Sequence, residues 1–294
     1  MDETQLSKSC QLQILDVVDR LRVISKRTEA EFHSQSVLIN PLDMWAAEVR
    51  CLREQRTRLH KIAASLMGTL HITQDSPMGV AALLAGEYAA KQTDEPDYHN
   101  KFHVAEVVIA AHLLGLREGL NNTQIAELVL AAVSHDFCHS GSNNSFDFQN
   151  EMVSVETAIP IFEKAGLDKV TIQKISHMIL ATDFKVGVPP ARQRYLDTRE
   201  MSPDNPERVL ASQAMLLIEA DVLFSCFNLD YNDLLSKLLA IELKIPGANL
   251  PTKTRVAFLD MVKFITKASQ DLGIDQRRQK LIIQLNELAT LESK

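Results

Sequence analysis

The sequence predicts an all-α protein, a multi-helix bundle, and three observations carry that expectation. Strand signals are scarce: aromatic residues make up 5% of the 294-residue chain, no Asn-Gly or Asp-Gly hairpin dipeptide occurs, and period-2 alternation never persists. Apolar residues recur instead at helical spacing, at Leu12, Leu15, Val18 and Leu21 and again at Ile172, Ile175, Ile179 and Thr182. Helix-start punctuation is also present, with Asn40 before Pro41, Thr123 before the run QIAELVLAAV, and Asn205 before Pro206. Side chains of this kind accept hydrogen bonds from the free N–H groups of a first helical turn, and Pro is pre-shaped for the first helical position.

Taken in order, the amphipathic stretch from Leu6 to Val23 fits either a core helix or a helix that pairs with a second copy, so a homo-oligomer stays open. The basic run Arg50, Arg53, Arg56, Arg58 and Lys61 includes or adjoins Glu48 and Glu54, and reads better as a solvated helix face than as a partner surface. Helical patterns follow from Tyr98, from Thr123 and from Ile172. Lys185 to Glu207 breaks the pattern with Pro189, Pro190, Pro203 and Pro206, and is expected to be a long connection. No Gly- or Ser-rich linker divides the chain. One domain over 1–294 is therefore expected, with preceding helices in 1–97, the chemistry in 98–272 and a C-terminal helix in 273–294.

Composition narrows the function. Net charge is −7, from 31 basic and 38 acidic residues, which argues against a nucleic-acid binder or a ligand of anionic membranes. No 18-residue apolar run stands out as a membrane span, and the acidic start MDETQLSKSC is unlike a secretory signal. Cys10, Cys51, Cys138 and Cys226 have neither disulfide-framework nor zinc-finger spacing. A cytoplasmic protein with a small-molecule substrate fits these facts.

Histidine distribution carries the strongest chemical signal. Five of nine histidines fall between His99 and His139, so that window is where a site is sought. His99 and His103 are four apart, one turn on one helix face, whereas His112 lies about half a turn round and is assigned to packing or surface. An apolar helix from near Thr123 runs directly into His135-Asp136. An ionised Asp in such surroundings needs a partner; a satisfied core pair is the plain reading, and a metal is the other. Imidazole with carboxylate suits Zn²⁺, and carboxylate with water suits Mg²⁺ or Mn²⁺. Asp221, inside AMLLIEADVLF, could complete the set or pair with a buried arginine. Asp183 fits a loop hydrogen bond as well as a catalytic role.

Tyr98-His99-Asn100-x-x-His103 followed by His135-Asp136-x-x-His139-x-Gly141-x-Asn143-Asn144 resembles the class I cyclic nucleotide phosphodiesterase catalytic domain, within the HD-domain metallophosphohydrolases. Ala181-Thr182-Asp183, Glu219-Ala220-Asp221 and the helix Thr254-Arg255-Val256-Ala257-Phe258-Leu259-Asp260 follow in the family's order, so the resemblance runs from about Tyr98 to Leu272. It implies that His103, His135, Asp136 and Asp221 hold a first metal, zinc, and that Asp136 bridges to a second, magnesium or manganese. His139 and Thr182 would reach that metal through water. His99 would be the general acid, oriented by Glu156, and Tyr98, Arg255 and Phe258 would contact substrate. The implied reaction is hydrolysis of a 3′,5′-cyclic nucleotide to the 5′-monophosphate by a hydroxide bridging the two metals.

Several positions depart from the family's pattern. Arg255 stands where the family carries a purine-reading glutamine, Phe224 where it has an asparagine, and Ala158 where a His-His pair follows the glutamate. A guanidinium donates hydrogen bonds and cannot accept them, so Arg255 could pair with a second phosphate or carboxylate of the substrate, or with a nearby acid such as Asp260. Two further readings follow: an HD-type phosphohydrolase acting on another nucleotide or phosphate ester, and a non-catalytic nucleotide sensor. The HD-GYP signature of cyclic-di-GMP enzymes is absent, and a sensor has no need of a proton donor such as His99.

Overall fold

A computed structural model describes residues 59–91 and 96–292, and these are helical with no strand among them. The helices are α1 (Leu59–Thr69), α2 (Pro77–Lys91), α3 (Lys101–Glu118), α4 (Asn122–Ser134), α5 (Gln149–Ala165), α6 (Lys169–Leu180), α7 (Val188–Thr198), α8 (Pro206–Leu223), α9 (Leu229–Glu242), α10 (Thr252–Met261), α11 (Lys267–Asp271) and α12 (Ile274–Glu292), with a 3₁₀ turn at Phe224–Cys226 after α8. The stripe at Leu12–Leu21, the Leu6–Val23 stretch, the Asn40–Pro41 start, Cys10, Cys51 and most of the basic run lie outside the described residues. Lys61, the last member of that run, is buried in α1 rather than set on a solvated face.

Asparagines start the helices that matter most. Asn100 Oδ1 accepts the N–H groups of Phe102 and His103, so the residue that caps α3 also sets the helical register of the first histidine pair. Asn205 caps α8, with Pro206 at its first position as expected. α4 begins slightly earlier than the sequence suggests. Asn121, not Thr123, is the cap, because Asn121 and Gln124 bond each other's backbone N–H groups in a capping box. At the other ends, Gly119 and Gly166 close α3 and α5 in the left-handed region at φ 88° and 85°, where a side chain would be strained.

Buried from Ile125 to Ser134, α4 is the central pillar, and α1, α2, α3, α5, α6 and α8 all pack against it. A helix apolar all round belongs in such a position. α8 is nearly as buried and packs on α3, α4, α6 and α7. By length and apolar composition the stretch Pro206–Cys226 would also pass for a membrane span, which corrects the expectation that none exists; most of it lies inside the fold. The segment from Lys185 to Glu207 is corrected too. It holds α7, which starts at Val188 with Pro189 and Pro190 in the opening turn, where missing N–H groups break no helical bond.

Glu219 holds the bundle together behind the last turn of α8. Fully buried, its carboxylate accepts the backbone N–H groups of Ile265 and Thr266 at 2.6 and 2.9 Å and the hydroxyls of Thr266 and Ser269. One side chain thus satisfies the start of α11 and ties it to the helix that carries Asp221. Replacing Glu219 with Ala strands four donors, so urea unfolding is expected to show a loss of about 2–4 kcal/mol. Glu219→Gln keeps an acceptor for the two backbone N–H groups and should lose less than half as much.

Candidate metal and phosphoryl-transfer site

Three helix ends meet at one pole of the bundle. α3 enters there with His103 in its first turn, α4 leaves there through His135 and Asp136, and the last turn of α8 delivers Asp221; His99 precedes the cap Asn100, so the two histidines do not share one helix as their spacing suggests, and the chain before α3 brings His99 in instead. His103 Nε2 lies 3.0 Å from Asp221 Oδ1 and 3.3 Å from Asp136 Oδ2, while His135 Nε2 lies 3.1 Å from Asp136 Oδ2 and 3.6 Å from Asp221 Oδ1. Two imidazoles and two carboxylates from three distant stretches therefore converge, and Asp221 meets histidines rather than an arginine.

Hydrogen-bond accounting makes this a candidate metal centre. His103 Nε2, His135 Nε2 and Asp136 Oδ2 are buried and none has a hydrogen-bond partner of acceptable geometry. Buried polar atoms are almost always satisfied, so three orphans facing one another call for a missing partner. His135 Nδ1–H donates to the Ala132 carbonyl at 2.8 Å, which leaves Nε2 as the nitrogen with a lone pair. His103, His135 and Asp136 offer ligand atoms within 4.8 Å of one another, and the N₂O₂ set with Asp221 suits a zinc-like divalent cation. Burial works against charge on both histidines, yet the Asp136 and Asp221 carboxylates overcome it: His103 is pushed up to about 9 and His135 well above the usual imidazole value. Asp136 and Asp221 are both held well below the ordinary carboxylate range; burial opposes this, and His135 on the first and His103 on the second outweigh it.

Beside this cluster sits His99. Its Nδ1 is 2.5 Å from Glu242 Oε1, and Glu242 Oε2 accepts the backbone N–H groups of Tyr98 and His99 at 2.7 and 3.0 Å. The Glu156 assignment is thereby corrected. Glu156 lies exposed on α5, whereas Glu242, the last residue of α9, reaches the imidazole from across the cavity. Burial tends to raise Glu242, but the His99 imidazole more than offsets it and keeps the carboxyl low. His139 stacks on His99 with ring centroids 3.8 Å apart, and its Nδ1 accepts the Gly141 N–H. His99, His139 and Glu242 also converge within 4.8 Å, but His99 and Glu242 already satisfy each other. That trio reads as a proton-donor assembly.

A cavity of about 180 Å³ joins the two clusters, lined among others by His99, Asp136, His139, Thr182, Asp221 and Glu242. Thr182 lies in its wall with its hydroxyl donated to Ile179 O. Asp183 points elsewhere. It accepts the backbone N–H groups of Phe148, Lys185 and Val186 and the Asn144 amide, a loop-organising role that holds Phe148 at φ 62° at the mouth of α5. His112 is fully buried nine residues beyond His103 and takes no part.

Substrate-side residues border a second cavity of about 320 Å³, lined by Tyr98, Asn143, Arg255 and Phe258 among others. Asn143, Leu239 and Leu243 border both cavities, which makes them neighbours along one cleft. Arg255 does not pair with Asp260. Its Nε and Nη2 donate to Asn232 Oδ1 at 2.8 and 2.6 Å, and Nη2 also engages Asp233. Phe224 packs edge-on against Phe227 beneath the site. Sequence reasoning missed Glu242, Asn232 and Asp233; for Glu242 the signal was the one that marked Asp221, an acid embedded in an apolar helix (LLAIEL).

Comparison with known proteins agrees with this architecture. Residues 98–155 match the family described as 3′5′-cyclic nucleotide phosphodiesterase, the segment that supplies His99, His103, His135, Asp136 and His139. A dual specificity calcium/calmodulin-dependent 3′,5′-cyclic nucleotide phosphodiesterase 1B of Bos taurus is 26% identical over 108 residues, covering 35% of this chain and 20% of that protein. The corresponding phosphodiesterase 1 of Drosophila melanogaster is 25% identical over 193 residues, covering 62% and 23%. The chain thus spans about a fifth of the length of the curated relatives it matches. The solved structure of LmjPDEB1 in complex with IBMX superposes with a TM-score of 0.60 over 92% of each chain, at 16% identity. The chain therefore shares its fold with that solved structure, and its segment 98–155 is similar to the 3′5′-cyclic nucleotide phosphodiesterase family.

Cation uptake should be coupled to protons. His103 holds a proton up to about pH 9, and a ligating imidazole must be neutral, so binding releases protons and weakens as pH falls. Titration calorimetry of chelator-treated protein with Zn²⁺ is expected to show affinity rising from pH 6.5 towards 9, with a proton-release enthalpy that depends on the buffer. His103→Ala or Asp221→Ala should lose about tenfold or more in affinity.

Proposed function

We propose that this chain is a phosphoric diester hydrolase acting on a 3′,5′-cyclic nucleotide, with two divalent cations, zinc and magnesium or manganese. The observation that carries the reading is the convergence of His103, His135, Asp136 and Asp221, three of their buried ligand atoms unsatisfied, beside a small cavity whose lining also includes the carboxylate-anchored imidazole of His99. Divalent cations bound there supply charge neutralisation at phosphorus and an activated water.

The chain's own residues account for the rest. Hydrolysis adds water to phosphorus and breaks the bond to O3′, and the departing alkoxide needs a proton. With Nδ1 committed to Glu242, His99 has Nε2 left to give that proton, and the Glu242 carboxylate fixes the orientation of the ring. Glu242 also accepts the Tyr98 and His99 backbone N–H groups, so the donor is tethered by backbone as well as side chain. His139, stacked on His99, limits the ring's freedom to turn. Phe258, half-buried on the pocket wall with Phe184 5.6 Å from it, offers an aromatic face for a base.

The alternative of a different phosphate ester rested on Arg255 as a free anion clamp. Asp233 now balances that charge within the protein, which takes away the reason to expect a second phosphate. A non-catalytic sensor would leave the His99–Glu242 pair without a task.

Assays with bis(p-nitrophenyl) phosphate, p-nitrophenyl phosphate and cyclic AMP or cyclic GMP separate the readings. Diester and cyclic nucleotide cleavage with little monoester cleavage is expected. His99→Ala and Glu242→Gln should each lower kcat, the first by about 10²–10⁴-fold, while Glu156→Gln should leave it within about twofold, since this exposed side chain touches nothing at the site. Equal loss in the Glu156 and Glu242 variants would refute the assignment of the proton-donor pair.

A further inference from the structure

A third cavity, of about 450 Å³, lies between the end of α6 and the first turns of α7, with Phe148 in its wall from the start of α5. That size is ordinary for a small-molecule pocket. Two stretches of chain border both this cavity and the 180 Å³ one. In the first, Ala181, Val186 and Gly187 line the larger space while Thr182 and Phe184 line the smaller. In the second, Phe148 lines the larger, and Asn144 and Glu151 the smaller. Asp183 ties the two together. It accepts the Asn144 amide and the Phe148 N–H from one stretch, and the Lys185 and Val186 N–H groups from the other. The stretches therefore form a partition between the cavities, and Phe148 is its strained member. A bulky residue at φ 62° is in an uncommon backbone state, held here by its bond to Asp183.

The lining indicates what fits. Leu180, Val186, Pro190 and the Phe148 ring make the surface largely apolar, and the ionisable side chains among the lining residues are His177 and Arg194, with no acid. Arg194 Nε lies 3.6 Å from Glu207 Oε1, with both side chains about half exposed, so this pair compensates the guanidinium weakly. Burial, then the Arg194 charge, hold His177 below the usual imidazole value. At neutral pH it is an uncharged ring with one N–H to donate. A guanidinium beside such a donor, over an apolar floor, suits a carboxylate carried on a ring.

We propose that this cavity is an effector site for a small organic anion with an apolar body, and that its occupancy is felt in the metal-ligating cavity through the shared partition. The ring of the ligand packs on Phe148 and on residues 181–187, and its carboxylate meets Arg194 and His177. The site is separate from the catalytic reading above, and binding there does not depend on it.

The test titrates naphthalene-2-carboxylate into the full chain loaded with divalent cations, by calorimetry, with naphthalene-2-methanol as the uncharged control. The carboxylate is expected to bind about tenfold or more tightly than the alcohol. Arg194→Met should remove that advantage and keep the alcohol's affinity, whereas Ala191→Trp, which fills the cavity, should abolish binding of both. If Ala191→Trp fails to fold, the exposed substitution at Arg194 still decides. Saturating carboxylate should change kcat/KM for bis(p-nitrophenyl) phosphate by about fivefold or more, and Arg194→Met should blunt that change. If the chain cleaves no diester, the coupling is read as a similar change in Zn²⁺ affinity, so failure of the catalytic reading stays distinguishable. Equal affinity for the two probes overturns the site, as does carboxylate binding that survives Arg194→Met, which places the ligand elsewhere, for example on the cations. Arg194-dependent binding with kcat/KM and Zn²⁺ affinity both unmoved overturns the effector role.

Discussion

Seating two ionised carboxylates, each mostly shielded from solvent, among apolar helices is the constraint on which the rest of this molecule depends. Asp136 and Asp221 stand at the ends of α4 and α8, two largely buried helices, where an isolated charge costs several kcal/mol. Among the described residues no lysine or arginine pairs with either; the neighbouring charges are the imidazoles of His103 and His135, and their geometry leaves three buried atoms unsatisfied. Proteins keep such arrangements when something else completes them. The low-dielectric end of the bundle that makes the charges costly is also what would make a bound cation effective on a phosphate.

Keeping those ligands converged places demands on the helices around them. α4 delivers His135 and Asp136 at its exit only because it is packed on every side, so its end cannot wander. α8 is anchored from behind by Glu219, two residues before Asp221, through bonds to the loop and helix that follow α10. α3 is pinned at its first turn by Asn100, and Glu106, one turn beyond His103, is engaged by Tyr231 from α9. Asp183 gathers the loop between α4 and α5 from the opposite wall. Polar side chains outside the cluster thus set the positions of those within it.

How legible this was in the sequence depended on whether a signal was local. The i, i+4 histidines, the His-Asp pair ending an apolar helix and an acid inside AMLLIEADVLF are each visible within a dozen residues, and the structure brings these to one pole. The acid that holds His99 was not legible in the same way. The family resemblance points to Glu156, whereas the neighbour in space, Glu242, comes 143 residues after His99, by way of α9 folding back across the cleft. The Pro-rich segment misled for a different reason: Pro189 and Pro190 were read as breakers, but in the opening turn of α7 they initiate. Thr123 was one step from the real cap because Asn121 and Gln124 form a reciprocal pair that a single-residue rule does not weigh.

Charge is compensated separately in the two halves of the cleft, and that separation has a chemical consequence. On one side the cluster is left wanting a cation; on the other Arg255 is neutralised by Asp233 and oriented by Asn232. Asn143, Leu239 and Leu243 border both cavities and are not ionic, so they join the halves without coupling their charges strongly. A substitution at Arg255 therefore changes the Asn232–Asp233 side of the cleft without touching the His103, His135, Asp136 and Asp221 cluster. The same layout keeps Arg255, which borders the larger cavity, apart from the histidines and aspartates that converge at the smaller one, so the sequence can vary at position 255 without altering that cluster.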